Sequence, residues 1–215
     1  MSAKIIISGS NSQSHDETVR TTCIAGANGL LVSGDFSLQE SGTFEDHLDY
    51  AVTQGAKIVV RSRTDIQNCI ALAQSYFLEY GIMSFIPLHT NSHNHIILTP
   101  DSFPIGIIVC GAVLSAGQDC LTGYGNGLMI TGIDSWFTPD AESSGVNGWL
   151  AGAIYRIMTE CNCSAQEAWI KMYMTASHKD DWSINHGYGV PDVDAAIAYE
   201  IPIQENVQKS GLIMA

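Results

Sequence analysis

Charge is scarce in this chain, and positive charge is scarcest. Charged residues make up 14% of its 215 residues, with nine Lys+Arg against 22 Asp+Glu and a formal net charge of -13. A nucleic-acid-binding face needs a basic footprint, so no nucleic acid is expected as a partner. Anionic membrane surfaces are disfavoured on the same ground. No apolar run approaches the length that crosses a bilayer, so no membrane span is expected. The opening Met1-Ser2-Ala3-Lys4 is followed by only three isoleucines, which is too short for a signal peptide. The expectation is a cytoplasmic protein, or one carried from a cytoplasm into an assembly such as a virion. Protein partners or a peptide substrate remain as the partner class, including a place as subunit of an oligomeric assembly.

Metal patterns are thin as well. The six cysteines, Cys23, Cys69, Cys110, Cys120, Cys161 and Cys163, are scattered. Cys161-Asn162-Cys163 is not CxxC and has no second half, so zinc is not expected there and buried free thiols are. His89, His93 and His95 lie close in sequence. Their spacings fit no one continuous helix or strand, and no carboxylate joins them before Asp101. No metal and no cofactor are expected.

What is abundant is apolar sequence, at 46% hydrophobic residues, enough for one sizeable core. Continuously apolar runs at 4–8, 30–36, 57–60, 82–88, 105–113 and 128–133 read as strands buried on both faces. Helical patterns at 15–27, 43–53, 65–80, 144–160, 164–176 and 193–199 lie between or after them. Asn28-Gly29, Gly55 and Gly81 supply helix stops, and Ser164 with Glu167 forms a capping box. Strand and helix in alternation predict an α/β fold: a doubly wound, mostly parallel sheet with helices on both faces. Residues 1–201 are expected to form a single domain and 202–215 a C-terminal tail.

Sites in such sheets form at the carboxyl ends of strands, where loops lead into helix N-termini. Ser144 and His15 stand at two helix starts, and Asn91 follows the strand at 82–88. A serine hydroxyl needs a base before it can attack a carbonyl. A histidine can take that proton near neutral pH. An asparagine amide can donate to an oxyanion. Each residue also has an ordinary structural role: Ser144 as an N-cap, His15 as a surface histidine beside two acids, Asn91 as a turn former.

The order His, Asn, Ser on an α/β alternation resembles that of the subtilisin-like serine peptidases. Ser144 precedes Ala151-Gly152 as the family nucleophile precedes its Val-Ala-Gly segment. The stretch from Tyr50 through Gly55 to Val60-Arg61-Ser62 resembles the family's helix and substrate-side strand. Ile108-Val109-Cys110-Gly111-Ala112-Val113 is similar to its VxVGAV strand, and Thr122-Gly123-Tyr124-Gly125 to the SxYG that follows. Gly187-Tyr188-Gly189-Val190-Pro191-Asp192 is similar to the family's ending. The resemblance implies a minimal subtilisin-like fold with Ser144 as nucleophile, His15 as general base and Asn91 as oxyanion donor. It places Ser62 on the strand that pairs with substrate backbone, a strand-addition mode of binding.

The departures carry equal weight. The family aspartate belongs at the end of the first strand, which here reads Ile7-Ser8-Gly9-Ser10, and no acid precedes Asp16. Asp16 and Glu17, on a helix start, are expected to point away from the His15 ring. Ser8 or Ser10 is expected to orient that ring as a neutral acceptor. The family's Gly-Thr-Ser is Glu142-Ser143-Ser144, and its proline four residues on is Gly148. Losing the aspartate of a Ser-His-Asp triad lowers kcat about 10⁴-fold, roughly 5 kcal/mol of barrier. The preferred expectation is a pseudo-peptidase serving as a structural or binding subunit, for example of a virion. The alternative is an active serine endopeptidase built on Ser144 and His15.

Overall fold

The computed structural model describes residues 4–9, 13–62, 69–88, 103, 105–113, 128–133 and 143–202. Its strands are β1 (Ile5–Ser8), β2 (Phe36–Gln39), β3 (Ile58–Arg61), β4 (Met83–Pro87), β5 (Ile107–Val113) and β6 (Ile130–Ile133). Its α-helices are α1 (Gln13–Gly26), α2 (Phe44–Gln54), α3 (Ile70–Tyr80), α4 (Ser143–Cys161), α5 (Ala165–Met174) and α6 (Val193–Ala198).

The six strands form one sheet in the order β2-β1-β3-β4-β5-β6, and every pairing is parallel. The sequence dictates this arrangement. β1, β3 and β4 are buried along their whole length, so helices must cover both faces. The chain steps one way from β1 to β2, then reverses through β3 to β6. Right-handed crossovers therefore place α1 on one face and α2 and α3 on the other. α4 joins α1, and the two make the most extensive helix–helix contact in the fold.

One expected strand is shifted. The apolar residues at 30–36 do not form it: Ser33–Asp35 is a short 3-10 helix and β2 begins at Phe36. Asp35 is the reason. Its carboxylate accepts the Val32 N–H at 2.9 Å and pairs with Lys4 at 3.1 Å, which closes a turn where a strand would have continued. The capping box of Ser164 and Glu167 forms as the sequence requires. Among the described residues five cysteines are outside any disulfide, three of them buried. The segment at 89–102, with Asn91 and the three clustered histidines, and the tail from 203 onward lie outside the described residues.

Candidate active site

The strand order reverses between β1 and β3, so the topological switch point lies at their carboxyl ends. Ser8 closes β1 and pairs in register with Arg61, which closes β3. Ser62 follows Arg61, and its N–H donates to the Ser8 carbonyl at 3.0 Å. The Ser62 hydroxyl is buried with no hydrogen-bond partner.

Two helix N-termini approach this rim. α1 carries His15 in its first turn and α4 carries Ser144 in its first turn. The helices run parallel at very close range. A β-carbon added at Gly148 would stand 2.4 Å from the Val19 carbonyl oxygen, and one at Gly152 would stand 2.0 Å from that of Cys23. Val19 therefore faces position 148 and Cys23 faces position 152. Carrying this register one turn toward the N-termini matches His15 with Ser144, by the four-residue spacing of one helix face. The register aligns the two residues the resemblance names as base and nucleophile. Ser144 is buried and His15 half-buried. Among the described residues no hydrogen bond joins them.

Asn147, which the sequence reading passed over, fixes the start of α4. It is fully buried. Its amide donates to the carbonyls of Arg61 at 2.8 Å and Phe85 at 3.2 Å, and its oxygen accepts from the Cys110 thiol at 3.0 Å. One side chain thus ties the N-terminal part of α4 to β3, β4 and β5. A polar residue within an apolar helical run was the available signal, since a buried amide must be matched by partners.

The end of β1 differs from expectation at Ser8. Ser8 does not serve His15: its hydroxyl lies 2.7 Å from Nδ1 of His47 and accepts from Arg61 at 3.1 Å. Asp16 turns toward the end of β1. It is buried, and its carboxylate lies so near the end of β1 that a β-carbon at Gly9 would stand 2.7 Å from Oδ2. The cause is adjacency: β1 and α1 are joined by a very short connection, so the first turn of the helix overhangs the strand end. Glu17, the other acid, is exposed and pairs with Arg20 on its own helix. No described helix is long and apolar enough to cross a membrane.

No family model and no curated protein sequence matches the chain. Solved structures do. MycP3 protease from the type VII (ESX-3) secretion system superposes with a TM-score of 0.62 at 14% identity, covering 86% of this chain and 73% of that one. MycP1 from Mycobacterium smegmatis gives a TM-score of 0.57 at 14% identity, covering 81% of this chain and 66% of its own. Fervidolysin from Fervidobacterium pennivorans, a keratinolytic enzyme related to subtilisin, gives 0.53 at 15% identity, covering 74% of this chain and 29% of its own. The chain thus spans about two thirds of the length of that MycP1. At these identities the likeness speaks for architecture, and it agrees with the strand order and the paired helix starts: the chain has an α/β fold of the subtilisin-like serine peptidase type.

Proposed function

We propose that this chain is a subtilisin-like pseudo-peptidase, retained as a binding or structural subunit of a larger assembly. The observation that carries this reading is the end of β1. A serine stands there, and its hydroxyl is already engaged by Arg61 and His47. A His15–Ser144 pair without a strand-borne carboxylate lacks the group that holds the imidazole tautomer and stabilises the imidazolium, a loss of about 10⁴ in kcat. What such a site keeps is the capacity to hold a chain. Ser62 lies at the rim beside β3, with an unengaged hydroxyl, where the family resemblance places substrate backbone. The neighbouring PatG macrocyclase, with a TM-score of 0.58 and 13% identity, is in complex with peptide, which supports a peptide as ligand. The test is a serine-directed fluorophosphonate probe on the full chain. A scaffold leaves Ser144 unlabelled, whereas labelling that vanishes in Ser144→Ala overturns the reading.

A second reading is favoured by one observation, the buried Asp16 carboxylate at Gly9. It fills from α1 the region where the family keeps its strand-borne acid. On this reading the chain is a serine endopeptidase, with Ser144 as nucleophile, His15 as base and Asn91 as oxyanion donor. Labelling of Ser144 would then be lost in His15→Ala and fall by up to about 10⁴-fold in Asp16→Asn. Labelling indifferent to Asp16 would count against it.

A further inference from the structure

The loop between α5 and α6 gathers donors that neither reading uses. His178, Asp181 and His186 each offer a ligand atom, and these atoms all lie within 4.8 Å of one another. Nε2 of His178 is buried and has no hydrogen-bond partner. A ring nitrogen hidden from water and left unmatched is unfavourable, and such groups usually mark a missing partner. Nδ1 of His186 lies 2.9 Å from the Gly187 carbonyl oxygen. A carbonyl only accepts, so Nδ1 carries the proton and Nε2 keeps its lone pair. That is the arrangement by which a backbone carbonyl sets the tautomer of a metal-bound histidine.

The loop is built to hold these groups. His178 donates its N–H to the Tyr188 carbonyl at 2.9 Å, and Asp181 donates its own to the His178 carbonyl at 3.0 Å. The two imidazoles stack with centroids 4.1 Å apart. Gly189 packs so closely that a β-carbon there would stand 2.8 Å from the His178 ring. The loop in turn docks on the start of β6: Tyr188 donates to Met129 at 2.8 Å, Thr131 to Gly189 at 3.1 Å, and the Trp182 indole to Leu128 at 2.8 Å.

We propose that His178, Asp181 and His186 bind a divalent transition-metal ion of the zinc class and so fix the conformation of the α5–α6 loop that docks on β6. Two imidazoles and one carboxylate suit such an ion, whereas calcium takes six or more oxygen ligands. Three protein ligands leave the fourth tetrahedral position to water. Ligand atoms around tetrahedral zinc stand about 3.4 Å apart, so binding asks for a closure on the order of 1 Å and for the two stacked rings to rotate until their in-plane lone pairs converge. The loop's bonds to β6 involve none of the three side chains, so the site can load after folding.

The test is isothermal titration of the metal-stripped full chain with zinc sulfate, with calcium chloride as control, and melting curves on the same samples. The expected result is one zinc per chain, no calcium heat, and a melting temperature raised by roughly 5–10 °C at a hundredfold excess over Kd. Asp181→Asn changes an exposed side chain and leaves the unliganded melting temperature alone. It and His186→Gln should each weaken zinc binding by at least about tenfold. Cobalt(II) should give the visible absorption of a tetrahedral site, lost in the same variants. Absence of a zinc-dependent shift overturns the proposal. So does zinc binding of unchanged affinity in both variants, which would assign the ion to the histidines at 89–95 or to the cysteines.

Discussion

The Ser8 hydroxyl lies 2.7 Å from Nδ1 of His47. The bond is one link in a directed chain. Arg61 has only donors, so its guanidinium gives a hydrogen to Ser8 at 3.1 Å. The Ser41 carbonyl only accepts, so Nε2 of His47, 2.9 Å away, carries the ring proton. Nδ1 is then the acceptor of the Ser8 hydroxyl. Arg61 also lies 4.7 Å over the Phe44 ring, which is buried on the same helix as His47. β1, β3 and α2 are therefore joined through polar groups at the rim where a subtilisin-like peptidase keeps its aspartate.

This chain makes His47 a structural residue. His47→Ala should destabilise the fold by about 2–4 kcal/mol, from lost volume and the Ser8 hydroxyl left without its acceptor. Ser8→Ala should cost about 1–2 kcal/mol, since the surrounding shape survives. Urea unfolding of both variants decides the matter. A His47→Ala variant within about 0.5 kcal/mol of the parent would show that the network adds nothing.

Gly148 answers to α1. The family's proline position is occupied here by a residue with no side chain, because the Val19 carbonyl and the Thr22 hydroxyl both lie 2.4 Å from where a β-carbon would stand. Gly148→Ala must push the helices apart and should cost about 1–3 kcal/mol by overpacking. It should also slow any fluorophosphonate labelling of Ser144, since His15 shifts with α1. Gly34, with nothing near its added β-carbon and no positive φ, is the control position for packing. Equal melting temperatures for Gly148→Ala and the parent would contradict the close register on which the His15–Ser144 alignment stands.

Asn147 should behave as a positioning residue. Asn147→Ala leaves the carbonyls of Arg61 and Phe85 and the Cys110 thiol without this partner, at a cost of about 2–4 kcal/mol. Hydrogen exchange should locate the loosening in the N-terminal part of α4, with α5 and α6 unaffected. A uniform loss of protection across the helices would instead mark Asn147 as a global core residue.

The architecture was legible because it rests on local and repetitive signals. Apolar runs such as Ile5-Ile6-Ile7 and Ile58-Val59-Val60 admit little else than buried parallel strands, and Ser164 with Glu167 marks a helix start by side-chain chemistry alone. The strand at 30–36 misled because apolar composition says nothing of Asp35, whose bonds to Val32 and Lys4 bend the chain. The candidate site was legible only as an order of residue types along the chain. His15 and Ser144 could be picked by order, but their alignment depends on glycines 148 and 152 meeting α1, a contact between distant segments. The burial of Asp16 against the end of β1 follows from the shortness of the link between β1 and α1, which helix periodicity alone does not convey. His47 draws no notice in the sequence, since nothing near it announces Ser8 or Arg61. The His178, Asp181 and His186 set went unseen because it is assembled by a loop rather than by one helix or strand.

Cys163 offers a chemical check on packing at the α4–α5 junction. Its thiol is pushed up to about 11, chiefly by burial. The thiolate is the reactive form, so at neutral pH Cys163 should alkylate about a hundredfold more slowly than an ordinary exposed thiol. Iodoacetamide labelling of the native chain, read by peptide mass spectrometry, should find it near unmodified when a small reference thiol is consumed. Rapid modification would mean that α5 leaves α4 readily.

Glu167 ties stability to pH in a direction that can be worked out. The Ser164 N–H, first, and the Ser164 hydroxyl hold its carboxyl below the ordinary value of 4.5. The folded state thus prefers the ionised form more than the unfolded chain does. The stabilisation is complete above the ordinary value and is lost as pH falls through the depressed folded one. Ser164→Ala should remove about 1 kcal/mol at neutral pH. Because Glu167 is largely solvated, solvent screening keeps the pH-dependent part small. Denaturation from pH 7 to pH 3 should therefore show a shallower acid decline in Glu167→Gln than in the parent. The double variant should lose no more at neutral pH than the sum of the singles, since both changes break the same box. A parent and a Glu167→Gln variant with superimposable acid limbs would show that the carboxylate is free in solution.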